Sequence, residues 1–265
     1  MTKILTFCYS LIIINTFCLS SEFIYKLNTN DYYIVGAAGA GLLGANQIKI
    51  ETLSNTEIDK LDKNNINSFD RPTVENYNQD LSNMSDYLLV GSFLIPAINF
   101  TKVKSLEDIS TVAAMYIETA LITNFITILT KNTFQRERPY NYNPNVPDTE
   151  KFDKQAKLSF FSGHASNSFM NCVFAAKVFD DLNPNSSYTP YVWGGCLAYA
   201  TTVSYLRVAA GKHFPTDVVV GALVGSAIGY LIPELHKLNS SQSLNLQPNS
   251  EAINLGYKIS YSYKF

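Results

Sequence analysis

The strongest constraint on this chain is a series of six apolar segments separated by polar links. The segments cover residues 32–48, 87–100, 109–129, 165–179, 191–206 and 217–232. Their lengths favour helices over strands, and breakers such as Asn183-Pro184 and Pro233 bound several of them. We therefore predict an all-α fold that consists of a bundle of about six helices.

The composition favours a membrane or envelope protein. Apolar residues make up 46% of the chain and charged residues only 16%, whereas an ordinary soluble domain has roughly a quarter of charged residues. Most of the segments are shorter than the roughly 20 residues that span a bilayer, so a tightly packed soluble bundle remains an alternative. We expect membrane association. The net charge of −2 gives no support for nucleic-acid binding, which would leave a basic footprint.

The two ends of the chain differ from this core. Residues 1–21 consist of Lys3 followed by an apolar run that ends in small residues, which predicts a signal peptide or an N-terminal anchor. Residues 22–238 form the predicted helical core, and residues 239–265 form a tail. Tyr257, Ile259 and Tyr261 alternate with polar residues in this tail, a pattern typical of a strand.

Three other features complete the outline of the core. The polar link 49–86 is long enough for a short helix or a lid. Glu118 interrupts the longest apolar segment and, if that segment lies in a membrane, is expected to face the bundle interior or a cavity. His236, at the end of the last helix, is expected to be a solvated residue.

Two polar clusters at the ends of apolar segments could bind an anion. Lys131 and Arg138 are seven residues apart, a spacing that predicts one shared helix face. Ser162, Gly163 and His164 open the next helix, where free backbone N–H groups favour a phosphate.

A third cluster occupies the link between the last two helices. Arg207 ends one segment, Asp217 begins the next, and His213 lies between them. We expect His213 and Asp217 to form a hydrogen bond that fixes the imidazole tautomer and supports the ring as a nucleophile or base. Together, the three clusters suit a tetrahedral oxyanion with a histidine on either side.

These clusters closely resemble the three-part signature of the type 2 phosphatidic acid phosphatase superfamily. That superfamily also includes bacterial class A acid phosphatases and vanadium haloperoxidases. The first motif is Lys131, six residues, then Arg138-Pro139, and the second is Ser162-Gly163-His164. The third is Arg207, five residues, His213, three residues and Asp217. The resemblance covers residues 108–235.

The resemblance implies a role for each of these residues. His213 would attack phosphorus and form a phosphohistidine, Asp217 would orient its ring, and His164 would protonate the leaving oxygen and then activate water. The remaining residues would bind the phosphate: Lys131, Arg138, Arg207, Ser162 and Gly163. The resemblance implies no cofactor, and the sequence offers no carboxylate or His cluster at metal-ligand spacing.

Two positions depart from the signature. Phe161 stands where the second motif usually has Pro, and Leu206 stands where the third motif usually has Ser. If that Ser helps to hold the phosphate, Leu206 leaves the site with one donor fewer. We expect reduced affinity or an altered preference, with the chemistry retained.

The location and the substrate are open at this level. If residues 32–48 form the first of six spans, Lys102 and Lys104 place the link between the second and third spans in the cytosol. The catalytic links then face the periplasm, provided that residues 4–20 do not cross the membrane separately. We expect a phosphatase of the bacterial cell envelope that acts on phosphorylated lipids. The alternatives are a soluble periplasmic acid phosphatase for small phosphomonoesters, a vanadium haloperoxidase and a catalytically idle envelope protein.

Overall fold

The computed structural model describes residues 23–101, 103, 105–238, 247–248 and 257–258. Within these residues the chain forms eight α-helices and five short 3₁₀ helices. The α-helices are α1 (Thr29–Ala45), α2 (Asn55–Ile58), α3 (Gln79–Ser92), α4 (Leu106–Phe134), α5 (Asp148–Lys151), α6 (Gly163–Leu182), α7 (Thr189–Ala209) and α8 (Pro215–Leu235). The 3₁₀ helices are Lys63–Asn65, Arg71–Thr73, Ile95–Thr101, Pro139–Tyr142 and Lys154–Lys157. The prediction of an all-α bundle is confirmed.

The six long helices correspond to the six apolar segments, with one shift of boundary. Helix α3 begins at Gln79 inside the polar link, eight residues before its apolar segment begins, and ends at Ser92. Asn78 caps it, because its side chain accepts the N–H of Leu81 at 3.0 Å. The remaining link contains α2 and two 3₁₀ helices.

Within the part of the chain that the structure describes, three helical stretches are long and apolar enough to cross a bilayer. They are Gln79–Thr101, Leu106–Tyr142 and Pro215–Leu235. Large apolar side chains on these helices face outward, among them Val90, Leu94, Leu223 and Leu231, each more than half exposed. This exposure fits a lipid-facing surface.

Helix α6 is the centre of the bundle, and α8 packs closely against it. A Cβ atom placed on Gly221 would lie 2.6 Å from the carbonyl oxygen of Ser162, and one on Gly229 would lie 2.7 Å from that of Met170. Gly225 meets the carbonyl oxygen of Ser166 in the same way. The absence of side chains on this face of α8 therefore allows the two backbones to touch.

The bundle brings five helix ends together at one face. The last turn of α4, the N-terminal parts of α3 and α6, the end of α7 and the turn that leads into α8 contribute residues to a single cavity. The N-terminus of α1 and the end of α8 lie at the opposite face, where the N–H of Lys26 donates to the carbonyl of His236 at 2.9 Å.

Other sequence expectations have mixed outcomes. Glu118 is buried as predicted, but His236 is also buried, with only 5% of its surface exposed, so the prediction of a solvated residue was wrong. In the tail, the backbone of Gln247–Pro248 (β1) pairs antiparallel with Tyr257–Lys258 (β2). Residues 1–22, Lys102, Lys104 and the rest of the tail lie outside the described residues.

Candidate active site

Lys131 and Arg138 reach one cavity from different backbone segments. Helix α4 ends at Phe134, because Gln135 adopts a left-handed conformation with φ of 43°. Arg138 is extended, as expected before Pro139. The prediction of a shared helix face was therefore wrong, although both side chains line the cavity. Lys131 Nζ donates to the carbonyl of Leu158 at 2.6 Å, and Arg138 Nε donates to that of Gln155 at 2.7 Å.

The second cluster forms the start of α6, as predicted. Ser162 is the N-cap residue, and its Oγ accepts the N–H of Ala165 at 3.3 Å. Gly163 and His164 line the cavity, whereas Ser162 is buried behind this lining. The N–H of Ser162 donates to the carbonyl of Asp217 at 3.0 Å, which ties the start of α6 to the start of α8.

A glycine turn places His213 between α7 and α8. Gly211 has a φ of +70°, a conformation that L side chains rarely adopt. The turn lets the N–H groups of Lys212 and His213 donate to the carbonyl of Arg207, at 3.0 and 3.3 Å. Phe214 and Pro215 then start α8. His213 is consequently held beside the end of α7 and at the wall of the cavity.

The imidazole of His213 has a defined tautomer. Its Nδ1 lies 2.8 Å from the carbonyl oxygen of Ser159, and since a carbonyl only accepts, Nδ1 carries the proton. Nε2 therefore keeps a lone pair. Asp217 Oδ2 lies 3.8 Å from Nδ1, which is too long for a hydrogen bond. The predicted direct hydrogen bond between His213 and Asp217 was thus wrong, because the carbonyl of Ser159 takes its place.

Asp217 instead organises the loops around His213. Its Oδ2 accepts the hydroxyl of Ser159 at 2.5 Å and the N–H of Phe214 at 2.9 Å. Its Oδ1 accepts from Arg136 Nη1 at 2.5 Å, and Arg136 also pairs with the buried Asp70 at 2.8 Å. The Asp217 carboxylate thus holds in place both Ser159, whose carbonyl binds His213, and the turn that carries His213. No local pattern in the sequence points to Arg136 or Asp70, because their partners are distant in the chain.

Helix α3 supplies three polar residues that the sequence analysis missed. Ser82, Ser85 and Asp86 share one helix face and contact Arg207 Nη1 at 3.2, 2.9 and 3.1 Å. Their spacing of three and four residues was the signal that could have revealed this face, but the run was assigned to the polar link. The hydroxyls of Ser82 and Ser85 thus contact Arg207 in a protein that has Leu206 where the motif usually has Ser.

Asp86 also contacts the second histidine. Its Oδ1 lies 2.6 Å from His164 Nε2, and since a carboxylate accepts, Nε2 carries a proton. Asp86 therefore bridges His164 and Arg207 at the mouth of the cavity. Its side chain is 54% exposed, so it can move when an anion enters.

The cavity has a volume of about 580 Å³ and its charged groups lie close together. The predicted residues on its lining are Lys131, Arg138, Gly163, His164, Arg207 and His213. Burial lowers the pKa of His213 well below its usual range, and the nearby Lys131 and Arg138 lower it further. Burial also lowers the pKa of His164 to about 4, against the opposing hydrogen bond to Asp86. The Nε atom of Arg207 is buried and has no hydrogen-bond partner among the described residues.

This arrangement can bind a compact anion and present a nucleophile to it. An anion oxygen would satisfy the unpartnered N–H of Arg207, because a buried donor without an acceptor is costly. Arg207 lies in the last turn of α7 and His213 in the turn that follows, and the N–H of His213 donates to the carbonyl of Arg207, so the nucleophile and the charge that stabilises the anion are positioned together.

Comparison with known proteins agrees with the resemblance seen in the sequence. The family model described as the PAP2 superfamily matches residues 112–241, a range that contains all eight predicted site residues. The lipid A 4'-phosphatase of Porphyromonas gingivalis is 26% identical over 140 residues, which are 52% of this chain and 56% of that protein. Phospholipid phosphatase 1 of Mus musculus is 31% identical over 83 residues, which are 30% of this chain and 29% of that protein.

The matches to these two curated relatives thus span about half the length of the first and less than a third of the second. Among solved structures, the transmembrane PAP2 type phosphatidylglycerolphosphate phosphatase from Bacillus subtilis aligns with 87% of this chain and 92% of its own. The TM-score is 0.42 and the sequence identity is 18%.

Proposed function

Because this chain belongs to the PAP2 superfamily, we propose that it is a metal-independent phosphatase that acts on phosphorylated lipids through a phosphohistidine intermediate. The observation that carries the proposal is the tautomer of His213. Its Nδ1 proton is held by the carbonyl of Ser159, and the ring lies at the wall of a cavity whose lining includes the cationic side chains of Lys131, Arg138 and Arg207.

His213 is the proposed nucleophile. The unprotonated Nε2 attacks phosphorus, an N–P bond forms and the bond from phosphorus to the leaving oxygen breaks. The lowered pKa of His213 keeps Nε2 free of a proton at neutral pH. Asp217 acts as a positioning residue, because it holds Ser159 and Phe214 on either side of the ring.

Lys131, Arg138 and Arg207 are the proposed phosphate ligands. Each offers N–H donors to the cavity, and Arg207 Nε has no partner among the described residues until an anion arrives. Cations fixed in a water-poor site stabilise the charge of a phosphoryl group in the transition state. Gly163 at the start of α6 adds a backbone N–H, and Ser162 keeps a hydroxyl hydrogen that it can donate.

His164 is the proposed acid and base. Protonated, it gives its proton to the leaving oxygen; neutral, it removes a proton from the water that attacks the phosphohistidine and releases inorganic phosphate. A bound phosphate adds negative charge beside the ring and therefore raises the pKa of His164 from about 4 toward neutrality. Asp86 supports the protonated form through its 2.6 Å contact.

A lipid substrate on the outer side of a membrane is the second part of the proposal. It is supported by the three helices that are long and apolar enough to span and by the relatives named as lipid phosphatases. The start of α4 follows the link that contains Lys102 and Lys104, and its 29 residues separate this link from the site by roughly 40 Å. A cytosolic position for the two lysines would therefore support a site at the periplasmic face.

The first test is phosphate release by the purified protein in mild detergent with EDTA. Phosphatidic acid, a phosphorylated lipid A and a soluble aryl phosphate are compared, with His213→Ala beside the unmodified chain. We expect release in EDTA, preference for a lipid, and a loss of at least about 10³-fold in the variant. Release that persists in His213→Ala, or that needs a divalent metal, contradicts the proposed mechanism.

The intermediate can be trapped by separating its two steps. An aryl phosphate has a good leaving group that needs little protonation, whereas hydrolysis of the phosphohistidine still needs a base. In His164→Ala, the phosphoenzyme is therefore expected to accumulate as an acid-labile, base-stable label on His213. His213→Ala is the matched control, and a label that persists in it points to another nucleophile.

A further inference from the structure

A second cluster of chemical groups lies at the opposite face of the bundle. Asp31 in the first turn of α1, Glu118 in the middle of α4 and His236 at the end of α8 converge there, and one ligand atom from each lies within 4.8 Å of the others. His236 Nε2 is 3.3 Å from Asp31 Oδ2 and 3.3 Å from Glu118 Oε2. The side chains of Glu118 and His236 are 3% and 4% exposed.

The tautomer of His236 turns a lone pair toward the two carboxylates. Its Nδ1 lies 2.8 Å from the carbonyl of Ile232 and must carry a proton there, since a carbonyl only accepts. In a neutral ring, Nε2 then faces two carboxylate oxygens with no hydrogen between them. The lone pair of Nε2, 3.3 Å from each of these oxygens, is repelled by both unless a cation lies among the three atoms.

A single proton does not resolve this arrangement. Neither Glu118 Oε2 nor His236 Nε2 has a hydrogen-bond partner among the described residues, and both are buried polar atoms that should have one. A proton on Nε2 would serve one carboxylate at most, at a longer distance than a charged hydrogen bond normally has. A metal ion at the centre would contact all three atoms at once.

The geometry fits a small divalent ion. A tetrahedral zinc ion with ligands about 2.0 Å away holds neighbouring ligand atoms about 3.3 Å apart, which matches the two distances from His236 Nε2. The carbonyl that orients the ring through Nδ1 is the usual outer partner of a metal-bound histidine. Two carboxylates also neutralise a 2+ charge, and an imidazole ligand selects zinc over magnesium or calcium.

We infer that Asp31, Glu118 and His236 form a binding site for a divalent transition metal, with Zn²⁺ the best match. The fourth ligand is a water, which enters past Asp31, the most exposed of the three side chains at 14%. The site joins α1, α4 and α8, so its role is to lock these helices together. It is distinct from the phosphatase site, because Glu118 and Lys131 are 13 residues apart on α4, or about 20 Å.

The test measures metal content and metal-dependent stability. The full-length protein, purified in detergent without chelator, is analysed by elemental mass spectrometry before and after EDTA dialysis and after addition of Zn²⁺. We expect one zinc ion per chain and a melting temperature that falls on EDTA treatment and recovers with Zn²⁺ but not Mg²⁺. The inference is overturned if the protein retains less than about half an equivalent of zinc and its melting temperature does not change when Zn²⁺ is added.

Variants assign the ligands. Glu118→Gln and His236→Gln keep the size of each side chain and are expected to lose the zinc, whereas His213→Ala retains it. Cobalt(II) binding provides a readout that does not depend on thermal stability. A four-coordinate cobalt site gives intense visible absorption, and we expect this absorption to weaken in each ligand variant. Zinc or cobalt binding that is unchanged in both glutamine variants refutes the assignment. Phosphate release in EDTA is scored separately, so either proposal can fail without the other.

Discussion

The close contact between α8 and α6 predicts that a methyl group far from the substrate will disable the site. In Gly221→Ala, the new Cβ would lie 2.6 Å from the carbonyl oxygen of Ser162, and an ordinary contact begins at 3.4 Å. The obstructing atom is backbone, so the two helices must separate by about 0.8 Å. Overpacking of this kind costs about 1–3 kcal/mol, which exceeds the roughly 0.5–1 kcal/mol that replacing a helical glycine by alanine contributes.

The separation acts directly on the proposed site. The N–H of Ser162 donates to the carbonyl of Asp217 at 3.0 Å, one helical turn from Gly221, and this bond joins the segment that carries His164 to the segment that carries His213. Because a misplacement of about 1 Å can cost about 100-fold in rate, we expect kcat/KM for phosphate release to fall by about that factor. The melting temperature in detergent is expected to fall as well.

Gly195→Ala is the matched control. A Cβ on Gly195, in the middle of α7, would meet nothing within 4 Å, so activity should be unchanged and stability equal or slightly higher. Activity and melting temperature are measured for both variants in the same detergent. Full activity in Gly221→Ala at an unchanged melting temperature would refute the argument that this backbone contact positions the two halves of the site.

Three further predictions concern the polar network. Asp86→Asn removes the carboxylate that favours protonated His164. We therefore expect kcat/KM at pH 7 to fall about 10-fold and the alkaline limb of the pH–rate profile to move to lower pH. An unchanged pH–rate profile would argue against a role of Asp86 in supporting the protonated ring. Ser85→Ala removes a 2.9 Å contact to Arg207. We expect KM to rise roughly 10-fold, since a hydrogen bond to a charged group is worth about 1.5–3 kcal/mol. A variant in which kcat falls while KM is unchanged would contradict a role of Ser85 in binding. Burial lowers the pKa of His164 from 6.5 to about 4, so between these pH values the unfolded chain binds more protons than the folded chain. The melting temperature should therefore drop as pH falls through that window, and His164→Gln should lessen the drop. Parallel curves of melting temperature against pH for the two proteins would argue against this contribution of His164.

Local patterns in the sequence were sufficient for the fold class and for most of the proposed site. The six long helices follow the apolar segments, although Pro233 lies inside α8 and does not end it, and the three motifs follow fixed short spacings. Six of the eight predicted residues line one cavity. The two that do not, Ser162 and Asp217, lie directly behind the lining and are bonded to each other's segment.

The wrong predictions concern positions where contacts between residues distant in the chain override a rule based on local spacing. Arg138 left the helix face because Gln135 ends α4, and Asp217 lost its expected bond because the carbonyl of Ser159, 54 residues from His213, was closer. Ser82, Ser85 and Asp86 were assigned to a link, since a polar helical turn has no apolar stripe to reveal it. Their meaning depends on Arg207, more than 120 residues away.

The sequence by itself determined which segments are helical and which residues carry the phosphatase signature, because both are recorded in spacings of a few residues. Only the tertiary structure decided the partners: the serines that hold Arg207, the carbonyl that sets the tautomer of His213, and the meeting of Asp31, Glu118 and His236. These depend on which helix faces pack together and how closely, as the glycine face of α8 shows. Such contacts join residues that are far apart in the chain, so no local spacing records them.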